Sequence, residues 1–357
     1  MDLNQSIYSR YNLCREMVET VEVIRSVKNH DLRKTIELIQ KRKGVFITGE
    51  GSSRIVPAKN LIYRNLINGS PLKIITEEAT QSMEYDLRDF VVIAISNSGK
   101  TREVIRLLKM LQKEKHGAVL GITANENSLL RHYSDSTLVL NCGKEKAVAA
   151  SKSVVEQALL LDRIYHLLTQ NIEIHFESLA EVFLTVLKQS IDSRIVKKLV
   201  DADMLYFAGR NTGVVEELTL KTNEIARKKA DFLEGTYCLH GIEEVMTSKE
   251  AVVLIDPFPE EEDNIYEVLV KGVGIPVIAI APRPTRFQTI IIPKCEGFDN
   301  YVQLAAGWNL LVKIGVELGI DLDKPIRARK IGNEYKSQDF KVHISANRKN
   351  IKQHKPK

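Results

Sequence analysis

The run VVIAISNSGKT (residues 91–101) constrains this chain most. Five unbroken apolar residues lead into a hydroxyl-rich turn with one glycine, and the amphipathic REVIRLLKMLQKEK follows at once. An apolar run without alternation reads as a strand buried on both faces, as in parallel sheets. The same order opens earlier, with GVFITGEGSS (44–53) running into PAKNLIYRNLING, where Pro57 is tolerable in the first helical turn. KIITEEA (73–79), AVLGITA (118–124) and STLVLNC (136–142) read as further strands, and AVAASKSVVEQALLLDRIYHLLTQ as a long helix. After a helical stretch at 176–200, MLYFAGRNTG (204–213) echoes GVFITGEGSS. EELTLKTNEIARKKA follows as a helix, and EAVVLIDPF, IPVIAIAP and FQTIIIPKC as strands, before the helix YVQLAAGWNLLVKIGVELG (301–319). The fold class is therefore α/β, with two related doubly wound parallel sheets in tandem.

The expected organisation is N-terminal helices at 1–43, a first unit at 44–175, a second at 176–335 and a basic tail at 336–357. A length of 357 residues suits two domains, and 44% hydrophobic with 27% charged residues excludes disorder across the chain. A net charge of +5 with one Trp argues against a nucleic-acid partner and suits a small anionic substrate. The cysteines, Cys14, Cys142, Cys238 and Cys295, are too widely spaced for a disulfide framework or a zinc set, so no metal and no cofactor are expected. The first residues lack a secretory apolar core and no run approaches ~18 apolar residues. A cytoplasmic chain without membrane contact is the expectation.

Chemistry concentrates after the strands. In Ser96-Asn97-Ser98-Gly99-Lys100-Thr101, hydroxyls, a permissive glycine and a helix N-terminus suit phosphate oxygens. A plain Ser/Thr helix cap accounts for the same residues. Gly49-Glu50-Gly51-Ser52-Ser53 is a second such turn, at a neighbouring strand end. Together the two suggest one small phosphorylated ligand rather than a dinucleotide.

GVFITGEGSS, VVIAISNSGKT, KEKAVAASKSVVEQ, FAGRNTGVVEELTLKTNEIA, LHG and DLDKPIRARK resemble, in order and over roughly residues 40–335, the double sugar-isomerase-domain (SIS) proteins. Within that family they are similar to the isomerase half of the glutamine–fructose-6-phosphate aminotransferases. The resemblance implies two doubly wound SIS subdomains, each a flavodoxin-like three-layer sandwich. It implies that Ser52, Ser53, Ser96, Asn97, Ser98 and Thr101 hold a sugar phosphate, and that Val148 (through its backbone), Glu145 and Lys221 line the pocket. Asn97 stands where the family usually has Gln, and Ala150 where it has Ser.

By the same resemblance Glu224 is the general base that moves a proton between C1 and C2, a task that partial burial of the carboxylate would favour. His240 opens the sugar ring in a site shared between two subunits, so a homodimer is implied. Lys330 forms a Schiff base with the open ketose, with Arg327 and Arg329 near enough to lower its pKa. Without the resemblance, Glu224 reads as a helix-surface residue and Lys330 as a solvated one. Two departures stand out: Ile-Glu-Glu follows His240-Gly241, and a longer basic tail follows Lys330.

The aminotransferase reaction on glutamine needs an N-terminal glutaminase domain, and only about 43 residues precede the first strand. The expected activity is therefore isomerisation with deamination, from glucosamine 6-phosphate to fructose 6-phosphate and ammonia. A fructosamine-6-phosphate deglycase, a simple phosphosugar isomerase acting without nitrogen and a non-catalytic sugar-phosphate sensor are the alternatives.

Overall fold

The computed structural model describes residues 1–170, 172–327 and 334–335. The first sheet holds β1 (Gly44–Gly49), β2 (Lys73–Glu77), β3 (Phe90–Ile95), β4 (Val119–Thr123) and β5 (Ser136–Val139). The second holds β6 (Met204–Gly209), β7 (Lys229–Glu234), β8 (Ala251–Ile255), β9 (Val277–Ala281) and β10 (Gln288–Ile291). Every pairing is parallel. The strand orders are β2-β1-β3-β4-β5 and β7-β6-β8-β9-β10, so both sheets read second, first, third, fourth, fifth. In this winding the crevice for ligands lies between the first and third strands, at their carboxyl ends. The hydroxyl turns at 49–53 and 96–101 follow β1 and β3, and thus flank that crevice in the first sheet.

Among the described residues the longer α-helices are α1 (Asn12–Ser26), α2 (Arg33–Ile39), α3 (Ser52–Ile67), α4 (Arg102–Lys113), α5 (Lys152–Thr169), α6 (Glu177–Lys188), α7 (Ser193–Asp201), α8 (Val214–Lys221) and α9 (Asp299–Glu317). Strand alternation sends Val45 and Ile47 to one core and Phe46 to another. The largest core is continuous between the sheets, taking Ile47 and Ile93 from one, Phe207 and Val253 from the other, and the buried faces of α5 and α9 between them. Helices lying in such a middle layer are apolar nearly all round, which accounts for their long hydrophobic runs. Smaller cores cover the outer faces, one beneath α4 and one around Tyr206, Val252 and Leu254.

A buried polar network also joins the halves. Asp162 on α5 accepts Arg64 Nε at 2.9 Å, Arg64 Nη2 at 3.1 Å and the Tyr301 hydroxyl at 2.7 Å. Arg64 on α3 reaches on to the Gly297 carbonyl at 2.6 Å. Gly213, just after β6, has φ +88, and a Cβ there would stand 2.5 Å from the Ile55 carbonyl on α3. The turn of one half thus touches the helix backbone of the other.

Three local readings change. The helix after β1 starts at Ser52, five residues before Pro57, so Ser52 and Ser53 lie in its first turn and Pro57 inside it. The helix expected from residue 147 starts at Lys152, because the preceding segment is held as an irregular loop by buried carboxylates. The helix expected over 216–230 stops short, because Lys229 and Ala230 open β7, an edge strand with Leu233 as its one buried residue and no apolar run to announce it.

Candidate active site

The turn after β3 is held by its own hydroxyls. Ser96 Oγ lies 2.7 Å from Thr101 Oγ1 and accepts Gly99 N at 3.0 Å, and Ser98 Oγ accepts Lys100 N at 3.2 Å. Thr101 occupies the N-cap position of α4, yet its side chain makes no capping bond to the helix. The plain-cap reading of this threonine therefore does not hold, and the first-turn amides of α4 keep their capacity for an acceptor. Gly99 has φ +64, and a Cβ there would meet Ser128 Cβ at 2.3 Å and Thr123 Oγ1 at 2.8 Å. Only glycine fits this approach. Two described residues from the far end of the chain rest on the same turn. Glu334 bridges to Thr101, Tyr335 N donates to the Lys100 carbonyl at 2.9 Å, and Lys109 Nζ donates to the Tyr335 hydroxyl at 2.7 Å.

Asn97 donates to Glu145 Oε2 at 2.8 Å rather than standing alone. The other Glu145 oxygen accepts Ser151 N at 2.8 Å, and Oε2 also takes Ser153 Oγ at 2.7 Å. A buried carboxylate thus meets the N-terminus of α5, where the helix dipole favours negative charge. This fixes Asn97 against the loop that carries Val148.

Lys221, at the end of α8, is fully buried. Its Nζ donates to Ser52 Oγ at 2.8 Å and to Glu224 Oε2 at 2.8 Å, with Glu217 Oε1 at 3.0 Å. Burial opposes the Lys221 charge, but Glu217 and Glu224 outweigh it and raise its pKa. Burial raises the pKa of Glu217, with Lys221 offsetting part of that shift. Thr222–Ala226 form a π-turn that continues α8. Such bulges often mark functional sites, and this one carries Glu224. Burial is not what distinguishes Glu224. Its side chain is 24% exposed and ion-paired to a fully buried lysine.

Glu224 and Val148 line one cavity of about 640 Å³, together with Ala149, Asn223, Arg227 and Arg327. A cleft of about 610 Å³ beside the C-terminal ends of α3 and α5 holds none of the sequence-predicted site residues. In the second sheet the corresponding crevice is spanned from within, by Arg210 Nη1 reaching Asp256 Oδ2 at 3.2 Å.

The structure thus brings Ser52, Lys221 and Glu224 into contact, joins Asn97 to Glu145 and Ser96 to Thr101, and places Val148 on the cavity of Glu224. Ser53 is half-buried beside Ser52. His240 is exposed, between two 3-10 turns, and does not line the cavity within its own chain. Glu243, one of the departures after the LHG stretch, folds back to accept Gly241 N at 2.6 Å. Lys330 lies outside the described residues. Sequence reasoning missed Glu217, although its i, i+4 spacing to Lys221 was a usable signal.

Glu50, between the two hydroxyl-turn glycines, accepts Ala79 N at 3.0 Å. Burial, reinforced by Glu78 and Glu103, raises its pKa to about 7. The folded chain then holds a proton that the unfolded chain releases near pH 4.5, so this residue costs stability as pH rises from about 4.5 to 7. Glu50→Gln is expected to melt roughly 3 °C above the parent at pH 8 and level with it at pH 4. Thermal melts at the two pH values check this, and equal melting points at pH 8 count against it.

Among the described residues no helix is long and apolar enough to cross a membrane, and no cluster of three or more His, Cys, Asp or Glu is placed to hold a metal. A profile of the SIS domain matches residues 37–167. In sequence the chain is similar to glutamine–fructose-6-phosphate aminotransferase [isomerizing] of Pyrococcus horikoshii, 29% identical over 321 residues, covering 84% of this chain and 47% of that protein. The Methanocaldococcus jannaschii protein of the same name is 24% identical over 338 residues, covering 88% of this chain and 30% of its own length. The chain thus spans about half or less of these curated relatives. In fold it matches the C-terminal domain of glucosamine-fructose-6-phosphate aminotransferase from Francisella tularensis, with a TM-score of 0.73 at 20% identity, over 88% of this chain and 98% of that domain. With two sheets of one strand order and a SIS-domain match over residues 37–167, the chain resembles the double sugar-isomerase-domain proteins and is similar to the isomerase half of the glutamine–fructose-6-phosphate aminotransferases.

Proposed function

We propose that this protein is a phosphosugar isomerase that deaminates glucosamine 6-phosphate to fructose 6-phosphate and ammonia. One observation carries the reading. Lys221 Nζ bonds at once to Ser52, in a hydroxyl turn of the first half, and to Glu224, in the second. This bond ties the first hydroxyl turn to the carboxylate and supports reading the anion-binding turns and Glu224 as one site. Ser53, Ser96, Ser98 and Thr101 hold the phosphate, and the Val148 loop faces the sugar carbons. With the ring open, Glu224 takes the proton from C2 while O1 gains one to give the enolamine; returning the proton to C1 as the nitrogen gives one up reduces C1 and oxidises C2 to the imine. The resulting C2 imine adds water and releases ammonia. Mass action favours this direction where free ammonia is scarce. His240, supplied by a second copy in a homodimer, opens the ring, and Lys330 takes the ketose as a Schiff base.

A second reading has its own support. Arg227, Lys228, Lys229 and Arg327 line the cavity beside Glu224. Arg227 and Lys228 spend bonds on the main-chain carbonyls of Asp321 and Val200, and Lys229 and Arg327 are exposed. That surplus of positive charge suits an amine that carries a carboxylate, as a fructosamine-6-phosphate deglycase would require.

The test incubates the full chain with glucosamine 6-phosphate and assays ammonia and fructose 6-phosphate together. Stoichiometric release of both is expected. Release of an amino acid from a fructosyl amino acid phosphate, without ammonia from glucosamine 6-phosphate, would replace the first reading by the second. Turnover of neither, with retained sugar-phosphate binding, would leave a sensor.

A further inference from the structure

The loop from residue 140 to 151 carries Val148 and Ala149 to the cavity wall, and it has no regular structure to hold it. Its amides are taken up by three buried carboxylates instead. Glu156 accepts Asn141 N and Cys142 N, each at 2.8 Å. Glu145 accepts Ser151 N at 2.8 Å. Glu16 accepts Lys146 N through Oε1, and Ala147 N approaches both of its oxygens, at 3.4 and 3.3 Å. The three are 0–4% exposed. Charge-assisted bonds of this kind are the strong ones, and they fix direction as well as distance.

Glu16 differs from the other two in where it comes from. Glu145 and Glu156 lie in the loop itself and in the helix it enters. Glu16 lies on α1, before the first sheet, and α1 packs on both α5 of the first half and α6 of the second. Its carboxylate holds the two residues immediately before Val148.

We propose that Glu16 is a positioning residue for the substrate. It sets the height of the Val148 backbone above the cavity and so the fit of the sugar carbons against Glu224. The proposal rests on the reading of the cavity as a sugar-phosphate site. Glutamine at this position offers one acceptor oxygen and an amide that cannot accept. The Ala147 N–H, 3.3 Å from Oε2, then faces an amide N–H₂ where an acceptor stood, and the loop must shift to relieve the donor–donor approach. The phosphate turn after β3 meets this loop through the Asn97–Glu145 bond, and its hydroxyls are held by one another and by the turn's own amides.

The test titrates fructose 6-phosphate and inorganic phosphate separately into the parent protein, Glu16→Gln and Glu16→Asp. Fructose 6-phosphate should bind about fivefold more weakly to Glu16→Gln, with inorganic phosphate affinity unchanged, and Glu16→Asp should fall between parent and Gln. A lower melting temperature with unchanged sugar-phosphate affinity would overturn the proposal. So would equal weakening of both ligands, which marks general loosening. If the parent binds fructose 6-phosphate and turns over no amino sugar, the deaminase reading fails and the binding comparison still decides the role of Glu16.

Discussion

Glu224→Gln is expected to lower kcat on glucosamine 6-phosphate about 10³-fold while fructose 6-phosphate affinity stays within about twofold. Glutamine has the same shape, and its carbonyl oxygen can still accept from Lys221 Nζ, so the contact at 2.8 Å survives. What is lost is the capacity to carry a proton between C2 and C1, and no neighbour replaces it. Lys221 is buried and held charged by two carboxylates, and Glu217 is shielded behind it with no exposure. A kcat near that of the parent would remove Glu224 from the chemistry. The same variant tests the shared site. Mixed with His240→Ala, also inactive alone, it should recover about a quarter of parental activity if subunits exchange and each site takes its histidine from the other copy. A mixture as inactive as its components, under conditions where exchange is verified, would place His240 in the same site as Glu224 of its own chain and remove the shared site.

Asp162→Asn is expected to cost about 3–5 kcal/mol, because it strands the buried Arg64 guanidinium without its counter-charge. Asp162 is fully buried, and its oxygens collect bonds from Arg64, Asn60 and Tyr301. Burial acts against the charge on Arg64, but Asp162 and its neighbours outweigh it and leave the pKa raised. The Tyr301 hydroxyl is likewise driven upward by burial and then by Asp162. Calorimetry should show a melting temperature roughly 4–7 °C lower. Arg64→Leu/Asp162→Leu should recover part of the loss, since replacing both charges with apolar groups leaves no unpaired ion. A single mutant melting within a degree of the parent would show that water reaches this network. Because Arg64 also holds the Gly297 carbonyl, the loss should loosen the contact between halves on which the Ser52–Lys221 bond depends.

Legibility differed between elements for definite reasons. β3 and β8 were readable because both of their faces are buried, so neither breaks its apolar run. β7 was not, because an edge strand in KADFLE looks like charged coil until β6 pairs with it. The N-terminal limit of α3 was misplaced because Pro57 is a strong local signal for a first turn, whereas the tertiary packing of Ser52 starts the helix earlier. The hydroxyl turns were visible as composition. That Thr101 bonds to Ser96 instead of capping α4 was not, since a cap and an anion cradle use the same residue types at the same spacing.

The amino-acid sequence by itself determined the tandem α/β plan, the two hydroxyl turns and the resemblance to sugar-isomerase domains, because apolar runs and short motifs are local properties that survive without neighbours. Tertiary structure alone decided which groups meet. Ser52 and Lys221 are 169 residues apart, and Glu16 and Lys146 are 130 apart. Such pairs form only when burial makes an unpaired charge too costly and the packed helices leave one partner within reach.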